Sequence, residues 1–356
     1  MAIYLPFYFF GVLLVFFSYD KYFRIISNQF ILFIFCLILI CFAGFRYGIA
    51  SDYWSYYDIF NETGDYDRLE TGFKFLISFY KFVFKSRSYN GFVFFIAFLS
   101  VSIKYLFFRK MLNPFIALLI YISVFYFILE YNGIRAGLAS ALNLNAVYLC
   151  IKNKKKILYF FLIGLASSIH ISSLLFFPLY IILSRDIYLR KQVVIFFLLI
   201  LLLTRFFFME YILSNINLLL LNLRVTKINQ LMLDQAMRYF HVKDVSIFNL
   251  GLIRRITIIM LFILLSKDKK INNGYFFLYT IGTSLYILFM GYDIISYRMS
   301  LVFDVFMIPL FADLKIKYNY KNFIIIVSLS LVLFVLYFVT IRSEGYVIPY
   351  KTYIFN

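Results

Sequence analysis

From Phe30 to Phe45 the chain carries no charged residue, and comparable apolar runs recur along its whole length. Lipid offers backbone N–H and C=O groups no partner, so each such run must satisfy them internally, as a helix. The runs are too long and unbroken for the alternating ten-residue strands of a membrane barrel. Composition points the same way: 64% of residues are hydrophobic and 15% charged, against about half and about a quarter in a soluble domain. The sequence predicts an all-α integral membrane protein, a single polytopic domain over residues 1–356.

Spans are expected near residues 3–17, 30–45, 91–108, 114–130, 137–151, 193–209, 251–265, 274–291, 298–312 and 322–340. The stretch from Ile157 to Leu183 exceeds the roughly 20 residues that one upright span takes. Its centre, Ser167-Ser-Ile-His170-Ile-Ser-Ser173, is polar, so two short, broken or re-entrant helices are expected to meet at His170. Counted as two, it brings the total to about twelve passes. The segments 18–29, 104–113, 152–156, 184–192, 266–273 and 313–321 then share one side, and their density of Lys and Arg marks that side as cytoplasmic. Both termini and the long loops 46–90 and 210–250 fall outside. Within the spans the midplane reads as nearly empty of charge apart from Asp304. The first span reads as a retained helix rather than a signal peptide.

The net charge of +18 needs no nucleic acid to explain it. Runs such as Lys152 to Lys156 are topology signals that also face anionic lipid headgroups. Cys36, Cys41 and Cys150 fall inside predicted helices without a CxxC pattern, so neither disulfide, metal site nor other cofactor is indicated.

Chemistry-bearing residues gather on the predicted outer side. Behind the second span stand Arg46, Asp52 and a knot of aromatics: Tyr53, Trp54, Tyr56 and Tyr57. Asp52 lies six residues behind Arg46, close enough to be oriented by it. Glu70 lies at the start of a stretch, Leu69 to Phe84, spaced as an amphipathic helix. Arg135 enters the fifth span, His170 sits among four serines, Arg254-Arg255 open a later span and Arg298 precedes another. Several guanidinium groups on one face suit an anion, which each can fork in pairs of oxygens. The carboxylates and imidazole supply proton acceptors. Taken singly, Arg135 and Arg298 also read as snorkelling anchors or as partners of Glu130 and Asp304.

The order of these pieces is specific. Arg46-Tyr-Gly, Asp52-Tyr with Tyr57, Glu70-x-Gly-Phe, Ile134-Arg135 before small residues, His170-x-Ser with Leu174, and Arg298 before an apolar helix together resemble the EpsG-like family. That family lies within the broader Wzy O-antigen polymerases. Ala50-Ser51 stands where the family usually has Gly-Thr or Gly-Xaa.

The resemblance implies a GT-C-like membrane glycosyltransferase in the bacterial cytoplasmic membrane. It would join repeat units carried on undecaprenyl diphosphate into O-antigen, capsule or exopolysaccharide, with a chain-length regulator and a flippase as candidate partners. Arg46, Arg135 and Arg298 would then neutralise the leaving diphosphate. Asp52, Glu70 or His170 would accept the proton of the attacking hydroxyl, and Tyr53, Trp54 and Tyr57 would offer flat faces to sugar rings. An O-antigen ligase or membrane acyltransferase places similar residues near an outer cavity. A lipid-linked oligosaccharide flippase or other transporter would instead favour midplane charges and a two-half repeat.

Overall fold

A computed structural model describes residues 4–18, 28–63, 69–185, 188–205, 249–266, 270–272, 274–290, 292–314, 320–342 and 352. Their regular structure is helical apart from one short antiparallel pair, β1 (Tyr188–Arg190) with β2 (Lys270–Asn272), and an isolated bridge between Arg46 and Thr352. The expected outer loop 210–250 lies almost wholly outside the described residues.

Two compact units divide the chain. The first, residues 1–185 and 307–356, holds α1 (Tyr4–Ser18), α2 (Asn28–Gly44), α3 (Tyr53–Phe60), α4 (Thr71–Phe84), α5 (Tyr89–Phe108), α6 (Pro114–Ile120), α7 (Ile134–Asn153), α8 (Lys156–Ile169) and the short α9 (Tyr180–Leu183). The second, residues 186–306, holds α10 (191–205), α11 (Leu250–Leu265), α12 (Gly274–Leu288) and α13 (Asp293–Asp304). The first unit resumes with α14 (Met307–Ala312) and α15 (Tyr320–Arg342). Among the described residues three helices are long and apolar enough to cross a membrane: Tyr89–Phe108, Ile134–Asn153 and Ile295–Ala312. At about 1.5 Å per residue, 20 residues reach about 30 Å.

In the first unit α7 sits between α5 and α8. Its run of small residues, Gly137, Ala139, Ser140, Ala141 and Ala146, lets neighbouring backbones come close, as at membrane helix interfaces. Helix α6 begins with proline at its first turn, where no N–H bond is lost. It then continues as two π-helical segments, Tyr121–Phe125 and Phe127–Asn132, up to the start of α7. Asn113, just before Pro114, donates its side-chain amide to the carbonyls of Ala312 and Leu314, so one residue closes the end of α14.

The polar stretch at His170 does break the helix: α8 stops at Ile169, His170 is extended, and a 3₁₀ turn runs Ile171–Phe176. The helix expected over 69–84 runs Thr71–Phe84. It does not lie loosely outside, because Phe73, Ile77 and Tyr80 are buried with Tyr53, Tyr56 and Phe60 of α3, with Phe92 and Ile96 of α5, and with Ile134 and Leu138 of α7.

Two buried ion pairs lie within the helices. Lys104, counted with a basic cytoplasmic segment, is fully buried within α5 and pairs with Glu130 at 2.8 Å. A lysine deep in an apolar helix must find such a partner, since an unpaired charge there is costly. In the second unit Asp304 is held by Arg255, also buried, and by Arg254 at 3.3 Å. The partners named from sequence were therefore misassigned: Glu130 pairs with Lys104 rather than Arg135, and Asp304 with Arg255 and Arg254 rather than Arg298.

Candidate functional site

The end of α8 leaves a backbone N–H at Ile171 without a helical acceptor. Glu70, at the N-cap of α4, takes it with Oε1 at 3.3 Å, and the same oxygen lies 3.7 Å from His170 Nδ1. The other oxygen, Oε2, accepts from Arg135 Nη1. Arg135 also donates from Nε to the Tyr56 hydroxyl at 3.1 Å, and its guanidinium lies over the rings of Tyr56 and Phe73. Four elements, α3, α4, α7 and the α8 break, thus converge on one partly exposed cluster. Among the described residues His170 Nδ1 is one of the buried polar atoms without a hydrogen-bond partner.

Burial pushes the Glu70 carboxyl up, but His170, the Arg135 guanidinium and the Ile171 N–H outweigh it and bring the group down to about 2. Burial, first among its causes, pushes the Tyr56 phenol up, against the pull of Arg135. The cluster therefore presents an ionised carboxylate, a permanently charged guanidinium and a partly exposed imidazole.

Close packing explains the Glu-x-Gly-Phe order. A Cβ on Gly72 would fall 2.7 Å from the Ser168 carbonyl oxygen, so only glycine lets α4 seat against α8 and bring Glu70 to Ile171. Phe73 supplies the floor beneath Arg135.

The turn between α2 and α3 is equally specified. Arg46 is 1% exposed and folds back on α2, donating to Ala43 O at 2.8 Å and Tyr131 O at 3.1 Å while lying over the Tyr131 ring. A cation there complements the carbonyl end of a helix. Gly48 then takes a positive φ of 61° and Ala50 one of 93°, a region that disfavours any side chain. Asp52 follows as the exposed residue before α3 and accepts from Ser51 Oγ at 3.1 Å.

The EpsG family model matches residues 29–352. The chain belongs to the EpsG family. No curated protein and no solved structure matches it. Membership supports a membrane protein with a polysaccharide polymerase-like function. It also gives Ala50 its context: this EpsG chain holds alanine in a left-handed conformation at the place where the resemblance expects glycine.

Of the residues singled out by sequence, Glu70, Arg135 and His170 meet, and Asp52 stands one helical turn before Tyr56 on the same face of α3. Arg46 is a correction. It is buried and turned onto main-chain carbonyls, without an ion pair to Asp52, so it neither reaches an anion nor orients that carboxylate. Tyr53 is another, being 1% exposed with its hydroxyl on Asn90 at 2.6 Å, which leaves no ring face for a sugar.

Trp54 and Tyr57 remain open at 51% and 40%, in edge contact at 5.7 Å, and Tyr47 joins them at 6.2 Å from Trp54. The spacing already carried this split: Tyr53, Tyr56 and Phe60 form one helical stripe inward, Trp54 and Tyr57 another outward. Tyr56, placed from sequence in the same aromatic knot, is a grip on Arg135. Arg298 lies exposed on α13 of the second unit.

Proposed function

We propose that this chain is the polymerase that joins oligosaccharide repeat units carried on undecaprenyl diphosphate, acting at the outer face of the bacterial cytoplasmic membrane through about twelve passes. The single observation that carries the reading is the Glu70–Arg135–His170 cluster, where a carboxylate grips a guanidinium beside an imidazole whose Nδ1 makes no hydrogen bond. A lipid diphosphate is a good leaving group that needs charge neutralisation rather than a proton. Arg135, held by Glu70 and Tyr56, supplies it without reorganising.

The attacking sugar hydroxyl does need a proton acceptor. A carboxyl lowered to about 2 is a weak base, so Glu70 serves as tether rather than base. The role falls to His170, whose partly exposed imidazole stands beside Glu70 with its Nδ1 making no hydrogen bond. Asp52, exposed just before α3, is the second acceptor, and the open rings of Trp54 and Tyr57 are surfaces on which an acceptor sugar would stack.

Two experiments test this. Membranes lacking the chain should accumulate single lipid-linked repeat units, and restoring it should convert them to polymer; a ligase would instead move finished glycan to a different acceptor. Cysteine placed at Ser168 should react with an impermeant thiol reagent from outside and cysteine at Asn153 should not. The reverse labelling would overturn the orientation.

A further inference from the structure

The main chain that carries Arg135 is tied down on both flanks by buried cations. On one side Arg46 donates to Tyr131 O at 3.1 Å. On the other, Lys104 donates to Gly137 O at 2.7 Å, to Glu130 Oε1 at 2.8 Å and to Ser100 Oγ at 2.8 Å, so that all three ammonium protons are used. Glu130 Oε1 accepts in addition from Tyr121 OH at 2.8 Å and Ser100 Oγ at 3.1 Å. Tyr121 opens the first π-helical segment and Glu130 lies in the second, so one carboxylate links both.

Stability alone does not account for this pair, because a buried ion pair is often no better than well-packed apolar residues of the same volume. What it does supply is geometry. Each extra residue in a helical turn rotates the rest of that helix by about 100° around the axis, so the π-helical segments set where Glu130 and Tyr131 face and where the turn at Gly133 delivers the chain to α7. We propose that the Lys104–Glu130 pair is a positioning device that sets the π-helical register before α7 and thereby aims Arg135 at the substrate diphosphate. The role of Arg135 rests on the function proposed above; the register of the turn does not.

The test uses the full-length protein with Lys104→Met and Glu130→Gln combined, which removes both charges and leaves neither unpaired. Its thermal midpoint should stay within a few degrees of wild type, while amide exchange across residues 130–137 accelerates. Turnover of the lipid-linked repeat unit should fall about tenfold or more with KM changed much less, as expected when a group is misaimed rather than lost. Adding Arg135→Lys should then cost less than it does in wild type, because the two changes act on one geometry.

Unchanged exchange over 130–137 would overturn the proposal whatever the activity. Should the double variant fail to fold, Tyr121→Phe, which removes one bond to Glu130, must raise exchange over the same residues and lower turnover measurably, or the proposal fails. If Arg135→Lys alone leaves wild-type activity intact, the diphosphate reading and the aiming role both fail. The exchange measurement still decides separately whether the pair holds the turn.

Discussion

Glu70 and Arg135, 65 positions apart in sequence, are joined through Glu70 Oε2, and the same carboxylate uses its other oxygen on the backbone N–H freed by the break after Ile169. One side chain thus binds α4 to α7 and to the end of α8.

A pH dependence follows from the folded carboxyl at about 2 against an unfolded value of 4.5. The folded value is the lower one, so the stabilisation is fully present above about pH 4.5 and lost as pH falls through about 2. The partial exposure of the pair limits it to on the order of 1–2 kcal/mol. The difference in thermal midpoint between wild type and Glu70→Gln should be constant from pH 7 to about 5 and shrink toward zero near pH 2. A difference that grows on acidification would contradict it.

Arg135→Lys keeps the charge but cannot hold Glu70, Tyr56 and a diphosphate oxygen with one planar group. Polymer yield at equal protein level should fall about tenfold or more. Wild-type polymer would reduce Arg135 to an anchor.

Gly72→Ala places a better helix former in the first turn of α4, which by propensity alone would stabilise the helix by about 1 kcal/mol. Contact with the Ser168 carbonyl reverses the sign, because backbone on both sides must separate. The variant should be less stable than wild type and its activity should drop with it. A more stable, active variant would mean that α4 does not seat on α8 as described.

Ala50→Gly should act the other way. Relieving a left-handed alanine gains about 1–2 kcal/mol, and losing a buried methyl costs about 0.8 kcal/mol, so a net gain of up to about 1 kcal/mol is expected. Thermal unfolding in detergent reads it directly. A loss of stability would show that the positive φ is not strained.

Much of this was legible before the structure. The serine-flanked His170 marked the helix break, and the apolar spacing of Phe73, Ile77, Tyr80 and Phe84 marked α4, because both are local patterns. The meeting of Glu70, Arg135 and His170 was legible only as a shared membrane face. Lys104 was not: it lies a few residues before Arg109-Lys110, so it reads as part of a basic membrane edge, and its partner is 26 residues on in another helix. The π-helical turns leave no periodic signature, and the burial of Arg46 depends on Tyr131, which the local sequence around Arg46 does not show.

The most direct measurement compares His170→Asn with Asp52→Asn in purified protein supplied with a lipid-linked repeat unit. His170→Asn should bind the unit with near wild-type affinity and form no polymer, while Asp52→Asn should retain polymerisation at a reduced rate. Normal polymer from His170→Asn together with none from Asp52→Asn would move the base to Asp52 and contradict the assignment of the Glu70–Arg135–His170 cluster as the reacting centre.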